Sequence, residues 1–138
     1  MVSSIGSYTT AQIAALSAAD IEGLTASDIK QLKAAQVGAF TTTQIGVFSG
    51  EQLALLAATQ VKGLTTAQIG ALRADQFVFN ASQLSVLNSA QIAALTTDEV
   101  AVLSEEQLAG LSAAQIGALE ATDLKALSAG NVAALSLT

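Results

Sequence analysis

From Thr9 to Leu135 the chain places an apolar residue at the same two positions of an eight-residue unit, sixteen times over. Units begin at residues 9, 17, 25, 33, 41, 49, 57, 65 and 73, then at 80, 88, 96, 104, 112, 120 and 128. The fifth position is apolar in every unit, and the eighth is Leu, or Phe at Phe40, Phe48 and, one place early, Phe79. Position one is Ser or Thr in ten units, and position four is Gln in eleven. Ser or Thr followed three residues later by Gln is a capping box. The hydroxyl accepts the backbone N–H of the fourth residue, and the Gln side chain reaches back to the cap. The Leu before the cap and the Ile after the Gln stand where a hydrophobic staple would. Leu64, Thr65, Gln68 and Ile69 carry the whole device.

Two rival readings of this period fail on geometry. One continuous helix would displace the Ile/Leu pair by about 80° per unit, winding the apolar stripe around its whole surface. A strand would send the fifth and eighth residues to opposite faces, because their spacing is odd. A short helix restarted at every Leu–Thr junction keeps both on one face. The expected fold is therefore all-α: a solenoid of sixteen octads, each a capped helix of about one and a half turns. Such helices are too short to persist alone and must be held by their neighbours. To close the packing, the seventh position, mostly Ala or Gly, is expected to be buried as well. Gly23, Gly63 and Gly110 there suit tight packing or a left-handed helix end.

The pattern predicts caps at Thr9, Ser17, Thr25, Thr41, Ser49, Thr65, Asn80, Asn88, Thr96, Ser104, Ser112 and Ser128. Lys33, Ala57, Arg73 and Glu120 break the rule, and their junctions are expected to be looser. The predicted core includes Ile13, Leu16, Ile21, Leu24, Ile29, Leu32, Ile45, Phe48, Ile69, Leu72, Phe77, Phe79, Ile92, Leu95, Ile116 and Leu119. Residues 1–8 read as a lead-in, with Tyr8 as a lid over the end, and 9–138 as one repeat domain. The unit 73–79 is one residue short, and the bulk of Phe77 and Phe79 is expected to fill the misfit. At the other end, Val132, Leu135 and Leu137 have no later unit to pack on, so end-to-end self-association or a frayed final unit is expected.

Composition narrows the functions. Charged residues make up 12% of the chain and the net charge is −6. The five basic residues, Lys30, Lys33, Lys62, Arg73 and Lys125, are scattered, which argues against nucleic acid. The longest uncharged run, Gln76 to Thr97, is interrupted by Asn, Ser and Gln, so no membrane insertion is expected. Residues 1–19 lack a basic leader and do not read as a signal peptide. With no His and no Cys, the usual nucleophile–base pairs, thiolate metal sites and disulfides cannot form, so no enzyme, metal or cofactor is expected. Asp98, Glu99, Glu105 and Glu106 cluster in sequence but match no calcium loop, and they read as capping and solvated carboxylates. Asn80-Ala81-Ser82 fits a glycosylation triplet yet is also an ordinary cap. The Thr-rich unit starts are spaced too irregularly for an ice- or mineral-binding array.

The string Leu-Thr-Thr-Ala-Gln-Ile-Gly-Ala-Leu, residues 64–72, resembles the octapeptide-repeat tracts of very large bacterial surface or secreted proteins labelled adhesins, haemagglutinins or haem-utilisation proteins. The resemblance runs from Thr9 to Leu135. It implies a structural spacer or stalk at the cell surface or outside the cell, although the absence of cysteine fits the cytosol equally. If haem comes with that label, the chain offers neither His nor Cys to ligate it, and no haem is carried over. A binding module, holding a protein or glycan ligand along the repeat surface, is the alternative.

Overall fold

The computed structural model describes residues 4–119 and Lys125. The described residues are helical, with thirteen α-helices of four to six residues, two 3-10 turns, and no strand. Each octad supplies one element. The cap residue is extended, with ψ near 160°, and the residue before it is extended too where helices end on Leu32, Phe48 and Leu119. Two extended residues in succession turn the chain between helices. The left-handed cap allowed for glycine is not used among the described residues: no glycine there has positive φ, and Gly23 and Gly110 end their helices in right-handed backbone.

The helices fall into three series, in which the main contacts join elements three units apart. The first series is α1 (Thr10–Ala14), α4 (Ala34–Val37), α7 (Ala58–Val61), α9 (Ala81–Ser85) and α12 (Glu105–Ala109), in contact in that order. The second is α2 (Ala18–Glu22), α5 (Thr42–Val47), α8 (Thr66–Gly70), α10 (Ser89–Ala93) and α13 (Ala113–Ala118). The third pairs the 3-10 turn Ile5–Ser7 with α3 (Ala26–Gln31), and α6 (Gly50–Ala54) with the 3-10 turn Ala74–Gln76. Unit count adds α11 (Thr97–Ala101) to it.

Fifth- and eighth-position side chains from all three series meet in one hydrophobic cluster. Ile13, Ile21, Leu24, Ile29, Leu32, Ile45, Phe48, Ile69, Leu72, Phe77, Phe79, Ile92, Leu95 and Leu119 are buried in it. Leu16 and Ile116 are only half-buried. Both lie near the edges of the described residues, where one side of the unit meets no further described layer. The seventh position is only partly covered, with Ala39, Val47, Val86, Ala94 and Ala118 packed against the core. Ala15, Gly23, Gln31, Leu55, Val102 and Gly110 are exposed there, while Ala39, Val47, Gly63, Ala71, Val86, Ala94 and Ala118 are half-buried. Residue seven follows the fifth by about 200° on a helix, so it is less covered than the fifth. Two of its glycines nonetheless sit at close approaches. A Cβ on Gly63 would collide with the Ala34 carbonyl oxygen, and one on Gly110 would lie 2.8 Å from the Ala81 Cβ.

The seven-residue unit is accommodated without an α-helix. Its 3-10 turn delivers Phe77 and Phe79 to the core, their rings edge to face at 5.5 Å. Gly50 lets the turn approach, since a Cβ there would stand 3.0 Å from the Asp75 carbonyl oxygen.

Candidate functional site

The feature that recurs through the described residues is a ladder of glutamines. The fourth-position amide binds in two directions. Its Oε1 accepts the cap residue's backbone N–H, as Gln68 does from Thr65 at 2.7 Å. Its Nε2 donates to two carbonyls far back in the chain, at the fifth and eighth positions of the unit four earlier. Gln36 reaches Ile5 and Tyr8, Gln44 reaches Ile13 and Leu16, and Gln52 reaches Ile21 and Leu24. Gln60 reaches Ile29 and Leu32, Gln68 reaches Val37 and Phe40, Gln76 reaches Ile45 and Phe48, and Gln115 reaches Leu84 and Leu87. These carbonyls lie at the ends of the earlier helices, where intrahelical donors run out; the fifth-position carbonyl also accepts the eighth residue's N–H, as Ile13 does from Leu16 at 3.1 Å. One side chain therefore starts its own helix and ends another. Residues 5–8, read from sequence as a lead-in, already serve as a rung, because Ile5 and Tyr8 accept from Gln36.

The register follows units, not residue number. Ladder bonds normally span 28 and 31 residues, but across the short unit Gln83 reaches Leu56 and Gln91 reaches Leu64, each 27 residues back. The second bond changes there. Gln83 makes only the Leu56 bond, Gln91 turns its other contact to Lys62 at 3.3 Å, and Gln107 binds the Phe79 carbonyl alone. Losing one residue keeps the eighth-position rung and displaces the fifth. The seam above residues 73–79 is thus the most thinly bonded part of the ladder among the described residues.

The caps complete each junction. The side chains of Thr9, Ser17, Thr25, Thr41, Ser49, Thr65, Asn80, Asn88, Thr96, Ser104 and Ser112 each accept the N–H of the fourth residue in their unit. Ser128 and Glu120 lie outside the described residues, as do Val132, Leu135 and Leu137. Lys33, Ala57 and Arg73 give no side-chain cap, yet their junctions are not distorted. Their backbone angles match the others, because Gln36, Gln60 and Gln76 still accept each N–H, at 2.7, 2.7 and 2.8 Å. What shortens is the helix: α4 and α7 have four residues, and the Arg73 unit has only its 3-10 turn. Arg73 also ties the short unit down, donating to the Gly46 carbonyl at 2.6 Å and pairing with Asp75 at 3.0 Å.

Acidic residues divide by burial. Asp20 and Asp28 fill the fourth position in the units of α2 and α3. Backbone and hydroxyl bonds from Ser17 hold the Asp20 carboxyl below the usual range, and the hydroxyl and backbone N–H of Thr25 do the same for Asp28. The Arg73 guanidinium lowers Asp75. Asp98, Glu105 and Glu106 are exposed while Glu99 is fully buried, so the cluster seen in sequence does not gather in space. Among the described residues no three acidic side chains come close enough to hold a metal ion, and no helix is long and apolar enough to cross a membrane. Tyr8 is half-buried against the core. The second series is uncharged beyond Glu22: units 41–48, 65–72, 88–95 and 112–119 contain no Asp, Glu, Lys or Arg.

The comparisons add no relative. No protein-family model, curated protein or solved structure matches the chain.

Proposed function

We propose that the chain is a three-sided α-helical solenoid serving as a structural spacer or stalk in a large bacterial surface or secreted protein, with no chemistry of its own. The observation that carries this reading is the ladder. Each layer presents cap N–H groups, amides and helix-end carbonyls matched to the next, so length is added by repeating one bond set rather than by closing a globule. Nearest-neighbour packing of this kind makes stability approximately additive along a solenoid. The low charge, the outward-facing Ala, Gly, Ser and Thr, and the resemblance of residues 64–72 to surface-protein octad tracts support the same role.

The uncharged second series favours a second reading, a contact face for a neutral protein or glycan surface. The two separate in one experiment. Deleting residues 41–64, one complete layer of three units, should leave a folded, cooperatively unfolding protein whose scattering length is shorter by one layer, about 8–10 Å for packed helices. If the deletion variant is unfolded, or folded at unchanged length, the modular spacer is wrong. Saturable binding of a glycan or protein that is lost with this deletion would favour the contact face.

A further inference from the structure

The ladder divides at the junction between Phe79 and Asn80. Among the described residues, the rungs that stay on one side of it are all double. Gln36, Gln44, Gln52, Gln60, Gln68 and Gln76 lie before it and Gln115 after it, and each donates to a fifth- and an eighth-position carbonyl. Counted by units, the fourth positions whose partners lie across the junction are Gln83, Gln91, Glu99 and Gln107. All three glutamines in that set have lost the fifth-position bond. Gln83 keeps the Leu56 carbonyl alone and Gln107 the Phe79 carbonyl alone. Gln91 keeps Leu64 at 2.6 Å with a longer contact to Lys62 at 3.3 Å. Glu99 is fully buried and accepts the Thr96 N–H. One unit further on the pattern recovers, with Gln115 on Leu84 and Leu87 at 2.9 and 2.8 Å.

The short unit is fastened to the layers before it. Gln76 makes both of its bonds, to Ile45 and Phe48, and Arg73 donates to the Gly46 carbonyl at 2.6 Å. The Val78 side chain stands against Gly50, where a Cβ would meet its Cγ1 at 3.5 Å. The thin bonding therefore begins after Phe79. It leaves no orphaned group on the earlier side, which is why the fold tolerates it. The Leu53 carbonyl still accepts the Leu56 N–H at 3.2 Å, and the Val61 carbonyl the Leu64 N–H at 3.0 Å. The core meanwhile runs straight through, since Phe79, Leu84, Leu87, Leu108 and Leu111 belong to the same buried cluster as the earlier layers. Apolar contact holds layers together without fixing their register, because it is non-directional. The rungs supply direction, and here half of that is missing.

In a solenoid, stability is approximately a sum of unit terms and neighbour-interface terms. Sub-global opening divides such a molecule where the interface is weakest. We propose that the Phe79–Asn80 junction is a release seam: the layers from Asn80 onward open as one block while the layers up to Phe79 stay folded. The continuous core keeps the closed form dominant at rest. The open form is the first one reached when the rod is loaded or mildly destabilised. The seam is a property of the fold and does not depend on what the rod is for.

Native-state hydrogen exchange on the full chain, resolved amide by amide, tests this. The helical amides of α9, α10, α11 and α12 should share one protection level, about tenfold or more below that of α5, α7 and α8, with the step at residues 79–80. A repaired variant supplies the second arm. Inserting one Ala between Val78 and Phe79 completes the octad, with Gln at position four and Phe at positions five and eight. It also returns Gln83 to the spans of 31 and 28 residues that Gln68 bridges. The step should then largely close, through higher protection after the junction. Protection that falls smoothly toward the last helices is what fraying from the end alone would give, and it overturns the proposal. So does equal protection on the two sides in the wild type, a step that the insertion leaves unchanged, or an insertion variant less protected than the wild type.

Discussion

Replacing Gln68 by Ala should destabilise the protein by roughly 3–6 kcal/mol, a loss large enough to threaten folding. The side chain is 2% exposed and serves three backbone groups: the Thr65 N–H, the Val37 carbonyl and the Phe40 carbonyl. The Thr65 N–H and the Phe40 carbonyl would be left without a partner, at about 1–3 kcal/mol each, while the Val37 carbonyl would keep only the Phe40 N–H at 3.4 Å. Gln12 provides the control. It is exposed and bonds the Thr9 N–H at 2.8 Å, so Gln12→Ala should cost no more than about 1 kcal/mol. Urea unfolding of the two variants checks the pair. Equal losses would mean that the long-range rungs contribute nothing beyond capping.

The second large effect lies in the core. Ile69 is 1% and Leu72 5% exposed, and truncating either to Ala should cost roughly 2–5 kcal/mol through lost transfer free energy and an unfilled cavity. Gly70 sits between them on the exposed side, where an added Cβ would meet the Ala94 carbonyl oxygen at an ordinary 3.5 Å. Gly70→Ala should therefore be neutral or stabilising by up to about 1 kcal/mol, since Ala lowers the entropy cost of the helix. Thermal or urea unfolding reads all three. Comparable losses at residues 69, 70 and 72 would mean that the facing of the unit is misassigned.

Helix starts were legible because a capping box is local. The residues that make Thr65 a cap and Gln68 its partner lie within one turn, and their spacing carries the geometry. The core was legible for a similar reason, since residues three apart on a helix share a face whatever the helix packs against. What escaped the local reading was the other half of Gln68. Its bonds to Val37 and Phe40 cross 31 and 28 residues, and no spacing within an octad encodes them. A trace existed in the choice of amide over acid. Glu completes a capping box as well as Gln does, so eleven glutamines at one position mark a need for an N–H. The acids at Asp20 and Asp28 fit the same logic: each caps its own helix, a job that needs only acceptor oxygens.

The seventh position misled for a different reason. Small residues there suggest full burial, but they are compatible with a border position that is half-buried at Ala39, Val47, Val86, Ala94 and Ala118 and exposed at Ala15, Gly23 and Gly110. The short unit was legible as a defect and not as a solution, because Arg73 reaches the Gly46 carbonyl across 27 residues.

The central claim is that layers are counted in units, three to a layer, even across the deletion at 73–79. The chain has no cysteine, so spin labels at Thr43→Cys and Ala114→Cys, both exposed third positions of the second series, report a single distance. The two sites lie three layers apart, and packed helices are spaced by about 8–10 Å, which predicts roughly 24–30 Å before label length is added. Moving the first label to Ala67 should shorten the distance by one spacing, about 8–10 Å. Two narrow distributions differing by that step are the expected result. A broad distribution, or a 43–114 distance no longer than the 67–114 one, would contradict the layered arrangement.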